Sequence, residues 1–182
     1  LGVSVMDADK EYPDSTFVED VALCAQNCSI VMRPGAKSRR GETEGIKDIL
    51  VDWFENIERI KEPCTAEGGD VMMVGSIFYI GLSSRTNDLG ANQLIKLLEK
   101  HEMKGVKVEL KDMLHLKTGV AYLENNNLLA CWELIRNPLF EKFNKIRVER
   151  EEALAANSVW INGTVLTPQG NPITKKRIEK AG

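Results

Sequence analysis

Thr65-Ala66-Glu67-Gly68-Gly69-Asp70 places two carboxylates and two glycines immediately before an apolar segment. Residues 71–82, with Gly75-Ser76 at their centre, predict a β-hairpin with a tight turn. Glycine adopts backbone angles that are closed to other residues, so we expect Gly68 and Gly69 to fix the directions of the two carboxylates. A single motif of this kind is typical of an ordinary solvated turn. Its interpretation as part of a site depends on two other parts of the chain that repeat the arrangement.

The repeat has hairpin turns near residues 26, 75, 126 and 162, a period of roughly 35–50 residues. Each complete unit is predicted to contain two antiparallel strands, a helix and a third strand. The predicted modules are residues 1–62, 63–112, 113–152 and 153–182, and the last stops where its closing strand is expected. Because helices alternate with strands, the sequence predicts an α/β fold of repeated ββαβ modules rather than an all-β propeller.

Within the modules, hydrophobic spacing predicts the individual elements. We expect a strand over residues 16–25 and a helix over residues 38–56 that Ser38 caps. The third module is expected to begin with a strand over residues 116–123, and the fourth to end with a helix over residues 172–182. The expected buried face of the first helix consists of Ile46, Ile49, Leu50, Trp53 and Phe54.

The composition limits the class of protein. The 182-residue chain has a net charge of −3, with 43% hydrophobic and 28% charged residues, which is typical of a soluble domain and argues against a nucleic-acid-binding protein. No apolar run approaches the roughly 20 residues of a membrane span. The four cysteines form no CxxC pair, which argues against a structural zinc site. Since no secretory signal is visible, we expect reduced thiols and a cytoplasmic location.

Charged residues fall at equivalent positions of the repeat. Acids or a histidine stand at the start of successive hairpins, namely Asp14, Glu19 and Asp20, then Glu67 and Asp70, then His115. An arginine follows a serine near the start of the first two helices, at Arg39 and Arg85. Equivalent positions of a radial repeat converge on its axis, so we expect one central pocket that contains these side chains.

Such a pocket has a definite chemical meaning. Several carboxylates can bind a guanidinium through paired N–H···O bonds, and two arginines can hold a carboxylate at the other end of the same ligand. A ligand with both groups is an arginine-like amino acid. A glutamate beside a histidine indicates proton transfer. Each feature alone is more typical of a solvated charge or a satisfied, half-buried histidine; their placement on one period favours a site.

Seven short segments occur in order along nearly the whole chain: residues 7–9 (DAD), 13–20 (PDSTFVED), 33–40 (RPGAKSRR), 67–71 (EGGDV), 81–87 (GLSSRTN), 114–117 (LHLK) and 156–157 (AN). Together they resemble the dimethylarginine dimethylaminohydrolase family. The resemblance implies the pentein fold, an α/β propeller of five ββαβ modules, of which this chain would supply about three and a half. The form of residues 17–20 favours this family over arginine deiminases and amidinotransferases, which share the fold.

The resemblance also implies a role for each charged residue. His115 is the expected general acid/base, and Glu67 is expected to orient it. The acids are expected on the guanidinium side of the substrate and the arginines at its carboxylate end, while Thr118 stands where the family commonly has a serine. The residues expected to bind substrate are Asp14, Phe17, Glu19, Asp20, Asp70, Arg39, Arg85 and Thr118.

The implied reaction is the hydrolysis of free methylated arginine to citrulline and a methylamine through a covalent cysteine intermediate. It requires no metal and no organic cofactor. The family's nucleophilic cysteine lies in the last module, so it is expected beyond Gly182. Cys64, the cysteine nearest to the expected axis, does not match it. Residues 1–182 alone are therefore expected to be inactive.

Two other interpretations stay open. An enzyme of the same fold could act on arginine or another guanidino compound, as arginine deiminases do. A protein without the nucleophile could bind methylarginine or a protein partner without turnover. The sequence also leaves open whether the protein forms a homodimer.

Overall fold

The computed structural model describes residues 5–182, so the first four residues of the first predicted module lie outside it. Three three-stranded sheets and one two-stranded sheet follow one another along the chain. The first sheet contains β1 (Ala22–Cys24), β2 (Ser29–Val31) and β3 (Ile57–Arg59), with helix α1 (Glu42–Leu50) between its last two strands. Strands β1 and β2 are antiparallel, whereas β2 and β3 are parallel.

The second sheet repeats this arrangement with β4 (Val71–Val74), β5 (Ile77–Leu82), helix α2 (Asp88–Glu99) and β6 (Lys104–Glu109). The hairpin predicted after the EGGD motif is confirmed, and Gly75 takes the left-handed conformation in its turn, with φ of 57°. The side chain of Asn87 caps α2 by accepting a hydrogen bond from the Gly90 N–H at 2.7 Å. This cap satisfies one of the free N–H groups at the helix start.

The third sheet contains β7 (Val120–Tyr122), β8 (Asn127–Ala130) and β9 (Asn144–Arg147). Two 3₁₀ turns, Trp132–Arg136 and Pro138–Phe140, replace the helix, since Pro138 lacks the N–H that a continuous helix needs. The fourth sheet is the hairpin of β10 (Val159–Ile161) and β11 (Thr164–Leu166), followed by α3 (Pro172–Ala181). The sheets thus fall one in each predicted module, while the module limits themselves stay a prediction.

Two local predictions in the first module are wrong. Residues 16–21 are not a strand, because most of this segment forms the 3₁₀ turns Pro13–Thr16 and Val18–Val21 before β1 begins. The first helix spans only nine residues, Ser38 does not cap it, and Trp53 is 73% exposed beyond its end. Ser38 instead belongs to the 3₁₀ turn Lys37–Arg39, whose Arg39 is held by ion pairs to Asp20 and Glu42. Ser38 therefore lies inside a separate turn rather than at the start of α1, and Arg39 of that turn is bonded to Asp20, 19 positions earlier.

Three hydrophobic cores of the described residues lie between neighbouring modules, and a smaller one lies within the first module, under α1. Side chains alternate across a strand, so the central strands of the second and third modules each pack one face on the preceding module and the other on the next. In β5, Phe78 and Ile80 belong to the core shared with the first module, whereas Tyr79 belongs to the core shared with the third. In β8, Leu128 faces the second module and Leu129 the fourth. Each module therefore depends on its neighbours for burial.

The same stacking brings one end of every module together. The 3₁₀ turns Val18–Val21, Gly68–Asp70, Leu116–Thr118 and Arg150–Ala156 contact one another in this order. The third module's predicted strand over residues 116–123 is thus shortened to β7, because its first residues form one of these turns. This row of turns carries most of the predicted site residues. Among residues 5–182, no helix is long and apolar enough to cross a membrane.

Gly68 and Gly69 serve this row of turns in a different way from the one predicted. Neither residue has a positive φ angle, so backbone freedom is not their role. A Cβ atom on Gly69 would lie 2.7 Å from Asp20 Oδ1 and 2.9 Å from the His115 ring, and one on Gly68 would collide with the Glu19 carbonyl oxygen. The glycines are therefore required because neighbouring turns approach the backbone closely.

Candidate active site

A cavity of about 380 Å³ opens on the row of 3₁₀ turns. Eight of the ten predicted site residues line it, and Glu67 and Asp70 lie behind it, completely buried. Leu114, Lys117 and Asn157 also line the cavity and were not predicted there, although each lies in one of the seven segments that carry the family resemblance. The lining residues are Asp14, Phe17, Glu19, Asp20, Arg39, Gly69, Arg85, Leu114, His115, Lys117, Thr118 and Asn157.

The centre of the site is a pair formed by His115 and Glu67. His115 Nε2 lies 2.7 Å from Glu67 Oε2, and Glu67 Oε1 accepts a hydrogen bond from the Gly35 N–H at 3.0 Å. Arg85 Nη1 is 3.8 Å from the same Oε1. Both carboxylate oxygens are therefore engaged, and the imidazole is held in one orientation.

The pair shifts the pKa of both partners in the direction that favours their charged forms. Burial alone would lower the pKa of His115, but the hydrogen bond to Glu67 and the nearby charges of Asp70, Asp20 and Glu67 outweigh it, so the pKa is raised. Burial would raise the pKa of Glu67, but His115, Arg85 and the Gly35 N–H together lower it. The imidazolium form of His115 is thus stabilised, as a proton donor requires.

Asp20 and Arg39 form a second buried pair beside the first. Arg39 Nη1 donates to Asp20 Oδ2 at 2.7 Å, while its Nε and Nη2 donate to Glu42. Nη2 also donates to the carbonyl oxygens of Asp14 and Phe17. Every nitrogen of Arg39 therefore already donates to a protein oxygen. Arg85 is 29% exposed at its side chain and is the more accessible arginine of the cavity.

The remaining predicted residues surround the opening. Asp14 and Glu19 are exposed, and Glu19 pairs with Lys117. Phe17 is 60% exposed and lines the cavity. The Thr118 hydroxyl donates to the His115 carbonyl oxygen at 2.6 Å, so it also holds the backbone of the histidine in place.

Asp70, by contrast, is not brought to the cavity. Its carboxylate is fully buried, and it accepts hydrogen bonds from the Ser83 hydroxyl and the Leu116 N–H. The structure thus places Asp70 in the framework behind the site rather than on the substrate side.

None of the four cysteines, all within the described residues, lines the cavity. Cys28 and Cys131 are buried, and burial raises the pKa of both, that of Cys131 to about 12. Burial also raises the pKa of Cys24, a residue that lines a different cavity. Cys64 is half-buried, and its carbonyl oxygen accepts from Arg33. No activated thiol therefore stands beside His115 within residues 5–182.

Asp20, Glu67 and His115 bring ligand-type atoms within 4.8 Å of one another, a separation that a metal ion could span. Their existing contacts argue against that use. Glu67 is committed to His115 and Gly35, and Asp20 is committed to Arg39 and to the Gly69 N–H at 2.9 Å. The cluster therefore fits a site in which His115 and Glu67 share a proton and Asp20 pairs with a cation better than it fits a metal centre.

Comparison with known proteins defines the class. The family model described as "Arginine deiminase" matches residues 24–169, which is most of the chain. A solved structure of the Pseudomonas aeruginosa dimethylarginine dimethylaminohydrolase, a cysteine-to-serine mutant complexed with citrulline, superposes with a TM-score of 0.94 at 51% identity, over 96% of this chain and 69% of that one. The fold is therefore the predicted α/β pentein fold, and the class is that of the arginine deiminase-like proteins.

Two curated relatives narrow the class to a family. The N(G),N(G)-dimethylarginine dimethylaminohydrolase of Pseudomonas aeruginosa is 50% identical over all of this chain and 72% of its own length. The enzyme of the same name from Streptomyces coelicolor is 35% identical over 88% of this chain and 61% of its own length. The chain belongs to the dimethylarginine dimethylaminohydrolase family, as the resemblance predicted.

Proposed function

We propose that the whole protein hydrolyses free methylated arginine to citrulline and a methylamine. The observation that carries this proposal is the His115–Glu67 pair, with its raised histidine pKa, at the edge of a cavity rimmed by acidic side chains. Membership of the family supports the same substrate class, and citrulline is the molecule bound to the Pseudomonas aeruginosa relative.

The acidic side chains at the cavity bind the cationic end of the substrate. Glu19 and Asp14 are the exposed carboxylates at the opening, and Asp20 lies deeper, where Arg39 already balances its charge. A guanidinium can exchange paired hydrogen bonds with such carboxylates. Phe17 offers an apolar and aromatic surface beside them, suited to the face of a methylated cation.

The arginines provide for the carboxylate end. Arg85 carries the larger part of this role in our proposal, because its guanidinium is only partly engaged. Arg39 contributes to binding of the carboxylate end because it lines the cavity, and its hydrogen bond to Asp20 fixes the position of that carboxylate. Thr118 acts by holding the backbone of His115.

His115 supplies and takes up the protons of the reaction. A thiolate adds to the guanidinium carbon, the carbon–nitrogen bond to the methylated nitrogen breaks, and the departing amine takes a proton from His115. Water then adds to the same carbon, the thiolate leaves, and the proton returns to His115 as citrulline forms. Glu67 occupies Nε2, so Nδ1 is the ring nitrogen that exchanges the proton. We propose that the thiolate comes from outside the described residues, since none of their cysteines lines the cavity.

The test compares dimethylarginine, monomethylarginine and arginine as substrates of the whole protein, with citrulline and the released amine measured together. We expect citrulline and an equal amount of methylamine or dimethylamine from the methylated compounds. Faster citrulline release from arginine would replace the proposal by a deiminase activity. Tight methylarginine binding without any citrulline would support a binding protein instead.

Replacing Arg85 with alanine is expected to weaken methylarginine binding by roughly 10- to 100-fold, since hydrogen bonds to charged groups contribute about 1.5–3 kcal/mol. The loss should largely disappear for a methylated guanidine that lacks the carboxylate. Calorimetric titration of both ligands measures this difference. Arg59→Ala, which removes an arginine from an exposed pair with Glu44, is the matched control. Equal losses for the two ligands would contradict the assignment of Arg85 to the carboxylate end.

Two further predictions accompany the proposal. The four free cysteines support a cytoplasmic location, because reducing compartments keep thiols unpaired.

A homodimer is the other prediction, and light scattering of the whole protein tests it.

A further inference from the structure

Asp70 connects two segments that carry residues of the cavity. It is the last residue of the 3₁₀ turn Gly68–Asp70, three positions after Glu67, and its carboxylate has no exposed surface. A buried carboxylate must be satisfied by hydrogen bonds, and its two oxygens accept from two different elements. The hydrogen-bond partners of each oxygen identify the two chain segments that Asp70 connects.

One oxygen holds the segment of Arg85. The Ser83 hydroxyl donates to Asp70 Oδ2 at 2.7 Å and accepts from the backbone N–H of Arg85 at 3.0 Å and of Thr86 at 3.2 Å. Thr86 is also bonded directly to the EGGD motif, because its Oγ1 accepts a hydrogen bond from the Glu67 N–H at 3.1 Å. The turn that carries Arg85 is therefore fastened to the EGGD turn through the Ser83 hydroxyl.

The other oxygen holds the segment of His115. The Leu116 N–H donates to Asp70 Oδ1 at 3.0 Å, and Leu116 is itself fully buried at the start of the 3₁₀ turn Leu116–Thr118. His115 precedes it directly, so this bond fixes the backbone on which the imidazole is mounted. Gly81 passes close by, where an added Cβ would lie 3.1 Å from the same oxygen, so the missing side chain allows the β5 backbone to approach the carboxylate.

We propose that Asp70 is a positioning residue that sets Arg85 and His115 at a fixed separation, through Ser83 on one side and the Leu116 N–H on the other. The inference deepens the proposed function and rests on it, because it concerns how far the carboxylate-binding arginine lies from the proton donor. A ligand bound at Arg85 is thereby presented to His115 at one distance, and positioning of this kind contributes directly to rate.

The charge of Asp70 allows a second measurement, the pKa of His115. Burial raises the pKa of Asp70, and its hydrogen bonds offset this only in part, while its charge contributes to the raised pKa of His115. Removing that charge disfavours the imidazolium, so the pKa of His115 should fall. Asp70→Asn leaves the other charged groups around the histidine in place, namely Glu67, Asp20, Arg85, Arg39, Lys117 and Glu19.

The experiment uses Ser83→Ala, Ser83→Thr and Asp70→Asn in the whole protein, with Ser76→Ala in the distant β4–β5 turn as the matched control. Ser83→Ala removes the link to Arg85 without changing any charge, and we expect KM for methylarginine to rise roughly tenfold. Ser83→Thr keeps the hydroxyl and should restore KM. Asp70→Asn should raise KM, lower kcat roughly tenfold or more, and lower the pKa of His115 in an NMR titration.

A purely structural role predicts a different pattern. If Ser83→Ala and Asp70→Asn lower the unfolding temperature but leave KM, kcat and the His115 pKa unchanged, the positioning role is refuted. If Asp70→Asn does not fold, the comparison of Ser83→Ala with Ser83→Thr decides by itself. The NMR titration and the binding of methylarginine need no turnover. A wild-type protein that releases no citrulline would therefore refute the proposed function while still deciding this inference.

Discussion

Replacing His115 with alanine is expected to lower kcat/KM for methylarginine hydrolysis by about 10²–10⁴-fold, the range that a positioned general acid/base contributes. The reason is that the protonated imidazole, which Glu67 and the surrounding carboxylates stabilise, is the proton donor for the departing amine. Steady-state rates of citrulline release by the whole protein measure the effect. Circular dichroism at the assay temperature confirms that the variant is folded, since the change also removes a partner from the buried Glu67.

The chain offers a matched control for this prediction. His101 is the other histidine, and its Nε2 lies 3.9 Å from Glu58 Oε1, outside the residues that line the cavity. His101→Ala should leave kcat/KM within about twofold, because it touches neither the substrate nor the proton path. A His115→Ala protein that keeps full activity would contradict the assignment of the general acid.

Replacing Arg39 with alanine is expected to lower the free energy of unfolding by about 3–5 kcal/mol, the cost of breaking a buried ion pair by removing one partner. Asp20 and Glu42 would both stay buried without their cation, and burial penalises an unpaired charge heavily. For a protein of this size, the loss corresponds to a fall of roughly 6–20 °C in the unfolding temperature. Thermal and denaturant unfolding of the whole protein measure it.

Arg59→Ala makes the same chemical change in an exposed pair with Glu44 and should cost less than about 1 kcal/mol. Similar stabilities of the two variants would contradict the view that Arg39 neutralises two buried carboxylates. The contrast therefore tests burial rather than the presence of an ion pair.

The part of the fold that depends on near neighbours could be predicted from the sequence. The β4–β5 turn needs a residue that tolerates positive φ, which Gly75 supplies, and the β10–β11 turn uses Asn162-Gly163, with φ of 49° and 79°. The start of α3 at Pro172 follows from the fixed φ of proline, and the break in the third module follows from Pro138. These conformational preferences depend only on residues a few positions apart, so they can be predicted from the sequence.

The convergence of polar residues on one cavity also followed from the repeat. Residues at equivalent positions of stacked modules must meet at the same end, and His115 indeed meets Glu67, 48 positions earlier. The order of the segments was sufficient to identify the family. It was not sufficient to distinguish a residue at the cavity surface from one behind it, as Asp70 shows.

The sequence by itself therefore determined the modular α/β architecture, the turn positions and the family, and it named most of the polar residues that line the cavity. Only the tertiary structure decided that residues 18–21 form a 3₁₀ turn, that Arg39 is held by Asp20 and Glu42, and that Asp70 lies between the Arg85 and His115 segments. The physical reason is that burial and ion pairing depend on partners that are distant along the chain. Gly69 is close to Asp20, 49 residues earlier, because two modules stack, and no local pattern contains that distance.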